Sequence, residues 1–145
     1  MKIYLACTVR GDRAAVAGLR AVAAALEADG HTILTKHLLD DNVEGAEATL
    51  PERAVYERDM AWLESCDLLI ADASGSSFGV GFEVGYVLGR SDRTSQRVVM
   101  VYRADRRDAI SRLILGNVHP RCETMAYVDS AELAEIVVTR CRAPL

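Results

Sequence analysis

The sequence predicts a doubly wound α/β domain, a five-stranded parallel sheet with helices on both faces. Three observations predict it. Five short apolar runs of strand length alternate along the chain with five segments of helical periodicity. Repeated strand-helix units bring each strand back parallel to the last, so the sheet is covered on both sides. The length of 145 residues is enough for one core and too short for two full-sized ones, so a single domain over 1–145 is expected.

The first strand is expected over 1–7, in Lys2-Ile3-Tyr4-Leu5-Ala6-Cys7. A helix over about 12–28 follows, with Ala15, Leu19, Val22 and Leu26 on one stripe and Gly30 as its stop. A short strand at 32–35 precedes the longest irregular segment, the polar stretch Asp40 to Glu52, suited to a mobile flap over a site. The second helix, 52–65, carries Val55, Tyr56, Trp62 and Leu63. A third strand at 67–72 runs through a Ser/Gly loop into a helix at 80–90, where Val80, Val84, Val87 and Leu88 recur at helical spacing. Strands at 97–102 and 124–128 flank a helix at 107–115. The last helix, 130–141, opens on Asp129-Ser130-Ala131-Glu132, a capping-box pattern.

Composition narrows the function. Half the residues are hydrophobic and 26% are charged, the ordinary globular balance. With 21 acidic against 17 basic residues the net charge is -4, which argues against a general affinity for nucleic-acid polymers. No apolar run reaches membrane-spanning length, and a strand-like opening leaves no room for a signal peptide, so a cytoplasmic protein is expected. Cys7, Cys66, Cys122 and Cys141 form no CxxC pair, so zinc is not expected and the thiols read as small buried apolar groups. Only Cys7 lies near the expected chemistry. His31 and His119 read as surface or loop residues.

In an open doubly wound sheet, ligands sit at the carboxyl ends of the strands where strand order reverses. Two loops should meet there: Ala6-Cys7-Thr8-Val9-Arg10-Gly11-Asp12 after the first strand, and Ser74-Gly75-Ser76-Ser77 after the third. Small residues, hydroxyls, backbone N–H groups and Arg10 make an anion pocket, with phosphate the obvious anion. Glu83 lies three residues from Val80 and four from Val87, on the apolar stripe of its helix, and within about one turn of the expected start, where the macrodipole favours its ionised form. Asp59 sits likewise between Val55 and Trp62. Its neighbour Arg58 is expected to point elsewhere. Two inward carboxylates beside a phosphate pocket suggest glycosidic-bond chemistry, in which one engages the sugar carbon and the other moves a proton.

These residues carry a resemblance. Lys2-Ile3-Tyr4 leading to Thr8-Val9-Arg10-Gly11, then Leu34-Thr35-Lys36-His37, Glu57-Arg58-Asp59-Met60-Ala61-Trp62-Leu63 and Ser77-Phe78-Gly79-Val80-Gly81-Phe82-Glu83-Val84-Gly85 stand in one order over most of the chain. The chain resembles the 2'-deoxynucleoside 5'-monophosphate N-hydrolases, relatives of the nucleoside 2-deoxyribosyltransferases. The resemblance implies a flavodoxin-like (Rossmann-like) fold and a homodimer with shared active sites. It implies Glu83 as nucleophile at the anomeric carbon, Asp59 as the group that binds a sugar hydroxyl and handles the proton of the leaving base, and Tyr4 as a hydroxyl beside them. Thr8, Arg10, Gly11 and Ser77 would hold the 5'-phosphate, with Gly79 beside them, and His37 would approach from the end of strand two. A serine of the neighbouring subunit completes the phosphate site in the family, and Ser111 is the best match here.

Hydrolysis of a (deoxy)nucleoside 5'-monophosphate to free base and (deoxy)ribose 5-phosphate is the expected reaction, with no metal or organic cofactor. A retaining mechanism would place the two carboxyl groups roughly 5 Å apart. Departures bear on substrate: Thr8 adds a methyl group to the phosphate loop, and Asp12 would repel a phosphate unless turned to its own backbone. The transferase relatives use a chain-terminal carboxylate near the sugar 5'-hydroxyl, which the ending Arg140-Cys141-Arg142-Ala143-Pro144-Leu145 does not match. The alternatives are base exchange between nucleosides and a nucleotide-binding module without turnover.

Overall fold

The structure is a computed structural model and describes residues 1–142; the expectation drawn from the ending 140–145 rests in part on its last three residues, which lie outside them. Five strands, β1 (Lys2–Ala6), β2 (Thr32–Ile33), β3 (Leu68–Asp72), β4 (Arg97–Arg103) and β5 (Cys122–Tyr127), form one sheet in the order β2-β1-β3-β4-β5. Every pairing is parallel. The order reverses between β1 and β3, and the two loops expected to form a site leave the sheet there.

Strand alternation divides the core in two. Ile3, Leu5, Leu68, Ile70, Val99 and Val101 face one side, under the helices α1 (Val16–Ala28) and α6 (Ser130–Arg142). Tyr4, Ala6, Leu69, Ala71, Val98 and Met100 face the other, against Leu63 of α3 (Glu52–Ser65) and Val80, Val84 and Val87 of α4 (Phe78–Leu88). Tyr4 therefore emerges on the α3/α4 side although its neighbours Ile3 and Leu5 do not.

Several boundaries differ from expectation for local reasons. The first helix starts at Val16 because residues 8–15 are spent on the loop: Gly11 takes φ +122° and Asp12 Oδ1 accepts from the Ala14 N–H at 2.9 Å. Strand β2 is two residues long because Thr35 replaces its ladder. Thr35 Oγ1 accepts from Leu5 N–H at 2.9 Å and donates to Leu5 O at 2.7 Å. The polar stretch is partly ordered into a 3-10 turn (Lys36–Leu39) and the short helix α2 (Val43–Glu47). The helix expected at 107–115 is broken in two, a 3-10 turn (Ala104–Ala109) and α5 (Arg112–Leu115), since Ile110 plugs the core on the α4 side and Ser111 restarts the helix as its cap. The capping box of α6 is present with a shifted partner: Asp129 Oδ1 accepts from Ala131 and Glu132 N–H, while Glu132 accepts from Val128 N–H at 2.6 Å.

Candidate active site

The loops after β1 and β3 press against each other at the switch point. Gly75 has no side chain because there is no room for one: a Cβ would overlap Thr8 Oγ1 and meet Asp12 O at 3.0 Å. The β3 loop is braced beneath by Asp72, whose Oδ1 accepts from Ser74 N–H at 2.9 Å and Oδ2 from the Tyr127 hydroxyl at 2.7 Å. Burial pushes the Asp72 carboxyl upward, against the pull of those hydrogen bonds. Ser77 caps α4, its Oγ accepting from Val80 N–H at 3.4 Å.

A cavity of about 570 Å³ opens over these loops, lined among others by Arg10, Glu47, Asp59, Ser77, Gly79 and Glu83. Glu83 and Asp59 reach it from α4 and α3. The Tyr4 hydroxyl rises from β1 and donates to Glu83 Oε1 at 2.5 Å. Burial raises the Glu83 carboxyl to about 7, opposed by the Tyr4 hydrogen bond and reinforced by the charges of Asp59 and Glu47. Tyr4 itself is pushed far above its ordinary range by burial and by the Glu83 charge, so it stays a donor. The expectation that the helix dipole keeps Glu83 ionised is corrected here. Because α4 begins at Phe78, Glu83 stands in the second turn, where the dipole has faded, and burial decides.

A second correction concerns Arg58. Its Nε donates to Asp59 Oδ1 at 2.8 Å although the two are adjacent on α3. Adjacent Cβ atoms diverge on a helix, but the long guanidinium stem folds back over Trp62, 5.1 Å from the ring centroid, and regains the carboxylate. The other end of the guanidinium donates to Glu47 Oε1 at 2.6 Å.

The remaining expected residues are spread around this centre. Thr8 is buried, its Oγ1 without a hydrogen-bond partner among the described residues, and Gly11 lies farther along the same loop. Arg10 is exposed and 3.7 Å from Glu44. Asp12 is turned to its own backbone, with Arg103 3.8 Å away. His37 does not line the cavity; its Nε2 stands 3.4 Å from Glu47 Oε1, and burial followed by the Arg58 charge lowers its pKa. Ser111 sits in a neighbouring hollow of about 460 Å³ with Ser76, Ser77 and Phe78. Cys7 lines the main cavity as a protonated thiol, raised to about 11 by burial.

Glu47 was not foreseen. It lies in a polar stretch without periodicity, and only its distance of one helical turn from Val43, the buried anchor of α2, marks it.

Comparison with known proteins fits this geometry. Residues 3–136 match the family model for nucleoside 2-deoxyribosyltransferase. A Thermofilum pendens protein named for 2'-deoxynucleoside 5'-phosphate N-hydrolase activity is 38% identical over 135 residues, 93% of this chain and 91% of that protein. The 5-hydroxymethyl-dUMP N-hydrolase of Mus musculus is 30% identical over 79% of this chain and 64% of its own length. Among solved structures, the Clostridium botulinum CMP N-glycosidase BcmB superposes with a TM-score of 0.70 at 16% identity, covering 97% of this chain and 99% of that one, which shows a shared fold. With residues 3–136 matched by the family model and a relative 38% identical over 93% of the chain, the chain belongs to the nucleoside 2-deoxyribosyltransferase family.

Proposed function

We propose that this chain hydrolyses the N-glycosidic bond of a (deoxy)nucleoside 5'-monophosphate, releasing the base and a sugar 5-phosphate. The observation that carries the reading is the pair Glu83 and Asp59, two carboxylates lining one cavity together with the loops after β1 and β3, with the buried Tyr4 hydroxyl donating to Glu83 from beneath. Glu83 attacks the anomeric carbon and Asp59 holds a sugar hydroxyl and handles the proton of the leaving base. Water then resolves the glycosyl-enzyme. Tyr4 steadies Glu83 on one oxygen and leaves the other for attack.

The 5'-phosphate is assigned to the loops after β1 and β3. Arg10 supplies charge, and Gly11, Ser77, Gly79 and Thr8 are assigned as backbone and hydroxyl donors, with Arg10, Ser77 and Gly79 lining the cavity. His37 acts behind Glu47 on this reading. The experiment is a panel of ribo- and deoxyribonucleoside monophosphates followed for released base. No release from any member would sink the reading.

The name of the matching family supports a second reading, transfer of deoxyribose between bases. Thymidine incubated with adenine would then give deoxyadenosine, whereas the hydrolase gives none.

We further infer a homodimer whose neighbouring subunit offers Ser111 to the phosphate. Exposed apolar side chains on the α3, α4 and α5 side support it: Phe78 is 99% exposed, Val118 93% and Leu113 85%, and Tyr56 and Phe82 are more than half exposed. A cytoplasmic setting is proposed on the four free thiols. No helix among the described residues is long and apolar enough to cross a membrane.

A further inference from the structure

Arg58 is held on three sides. Asp59 Oδ1 accepts from its Nε, Glu47 Oε1 accepts from its other nitrogen, and Trp62 lies beneath the guanidinium plane. Burial pulls its pKa down, but the hydrogen bonds to Asp59 and Glu47 outweigh that and the net shift is upward. It is therefore a fixed cation between two carboxylates, and its planar fork is the side chain that can hold both in one geometry. The bond to Glu47 also joins α2 to α3. Nearer the cavity's phosphate side, Glu44 of α2 stands 3.7 Å from the exposed Arg10.

We propose that Arg58, anchored by Glu47, is a positioning residue: it ties one oxygen of Asp59, fixes the other toward the sugar and leaving base, and latches α2 over the cavity. The inference rests on the proton-handling part assigned to Asp59 above. Without the clamp, Asp59 on a half-buried helix face samples several rotamers, and misplacement of about 1 Å at a reacting group costs up to about 100-fold in rate. Substrate affinity comes mainly from the phosphate loops, which Arg58 does not touch, so the loss should fall on kcat.

The test uses the monophosphate that the wild-type chain turns over fastest. Arg58→Gln is expected to lower kcat about 10- to 100-fold with KM within about threefold. Glu47→Ala, on a different and more exposed element, should give a smaller loss of the same kind. The double variant should lose much less than the product of the two single losses, because Glu47 acts on Asp59 through Arg58. Arg58→Lys, which keeps the charge and loses the fork, should recover kcat only in part. Unchanged kcat in folded Arg58→Gln, full recovery with Lys, or independent additive losses would each overturn the inference while leaving the hydrolase reading intact. A wild-type chain inert toward every monophosphate removes the hydrolase reading, and this inference with it.

Discussion

The Tyr4 hydroxyl and the Glu83 carboxylate meet at 2.5 Å across 79 positions of sequence, a short bond from the floor of the sheet to the second turn of α4. It gives Glu83 a fixed direction while burial holds its proton more tightly than an ordinary carboxylate does. Removing that side chain tests the chemistry most directly. Glu83→Ala should abolish turnover and leave affinity for a monophosphate within about tenfold, since its work is done mainly in the transition state. Loss of binding with residual rate intact would make it a ligand contact instead.

Activity should depend on pH through the same group. The nucleophile proposed above must be ionised to attack, and with the Glu83 proton leaving at about 7, kcat/KM should rise roughly tenfold between pH 6 and 8. An acid limb near the ordinary carboxylate range, about 4.3, would mean that Glu83 is better solvated than its burial implies.

Stability should move the other way. A carboxyl whose folded pKa is raised from 4.5 to about 7 favours folding fully below the lower value and loses that contribution as pH climbs to the upper one. Glu83→Gln, which keeps an acceptor for Tyr4, should thus equal wild type near pH 4. It should become more stable by on the order of 2–3 kcal/mol above pH 7, read by denaturant unfolding across pH. A constant gap across pH would show that the gain does not come from ionisation.

The contact between the two loops predicts a sharp cost for a small change. Gly75→Ala has no room beside Thr8 and Asp12, and should destabilise by about 1–3 kcal/mol and impair phosphate binding. Adding Thr8→Ala should recover part of the stability, since it removes the overlapping hydroxyl. An unchanged melting temperature for Gly75→Ala would show the loops to be separable.

A shared site can be tested by complementation. Inactive Glu83→Ala and Ser111→Ala chains, mixed and confirmed as heterodimers, should regain activity, because one site in each heterodimer keeps both residues. No rescue, with Ser111→Ala impaired alone, would place Ser111 in its own subunit.

Much of this was legible in the sequence because it was written in periodicity. The strand-helix alternation gives the sheet, and Glu83 and Asp59 stand out as charges on apolar stripes beside Val80, Val87, Val55 and Trp62. What stayed hidden depended on side-chain reach. Arg58 faces away from Asp59 by helix geometry and returns to it only because Trp62 offers a surface to fold over. Glu47 has only Val43, one turn back, to betray it, in a stretch too short and polar to show periodicity. The break at Ile110 was hidden because a buried isoleucine fits a helical stripe as readily as it fits a plug between two short turns.

The wall that carries Glu47 follows the shortest strand of the sheet, at its edge. Strand β2 contributes two residues to the sheet, and beyond it the chain from Lys36 to Leu50 is anchored by Leu38, Leu39 and Val43 in the core and by side-chain grips on its carbonyls: Arg13 donates to Leu38 O and Asp40 O, and Arg20 to Leu39 O. Side-chain grips on carbonyls open more readily than a central ladder such as β1, β3 and β4. Amide exchange should accordingly sweep through 36–50 while the sheet stays protected. Because Glu47 lines the cavity, exchange that is fast over 36–50 would place the cavity's least protected wall at this seam.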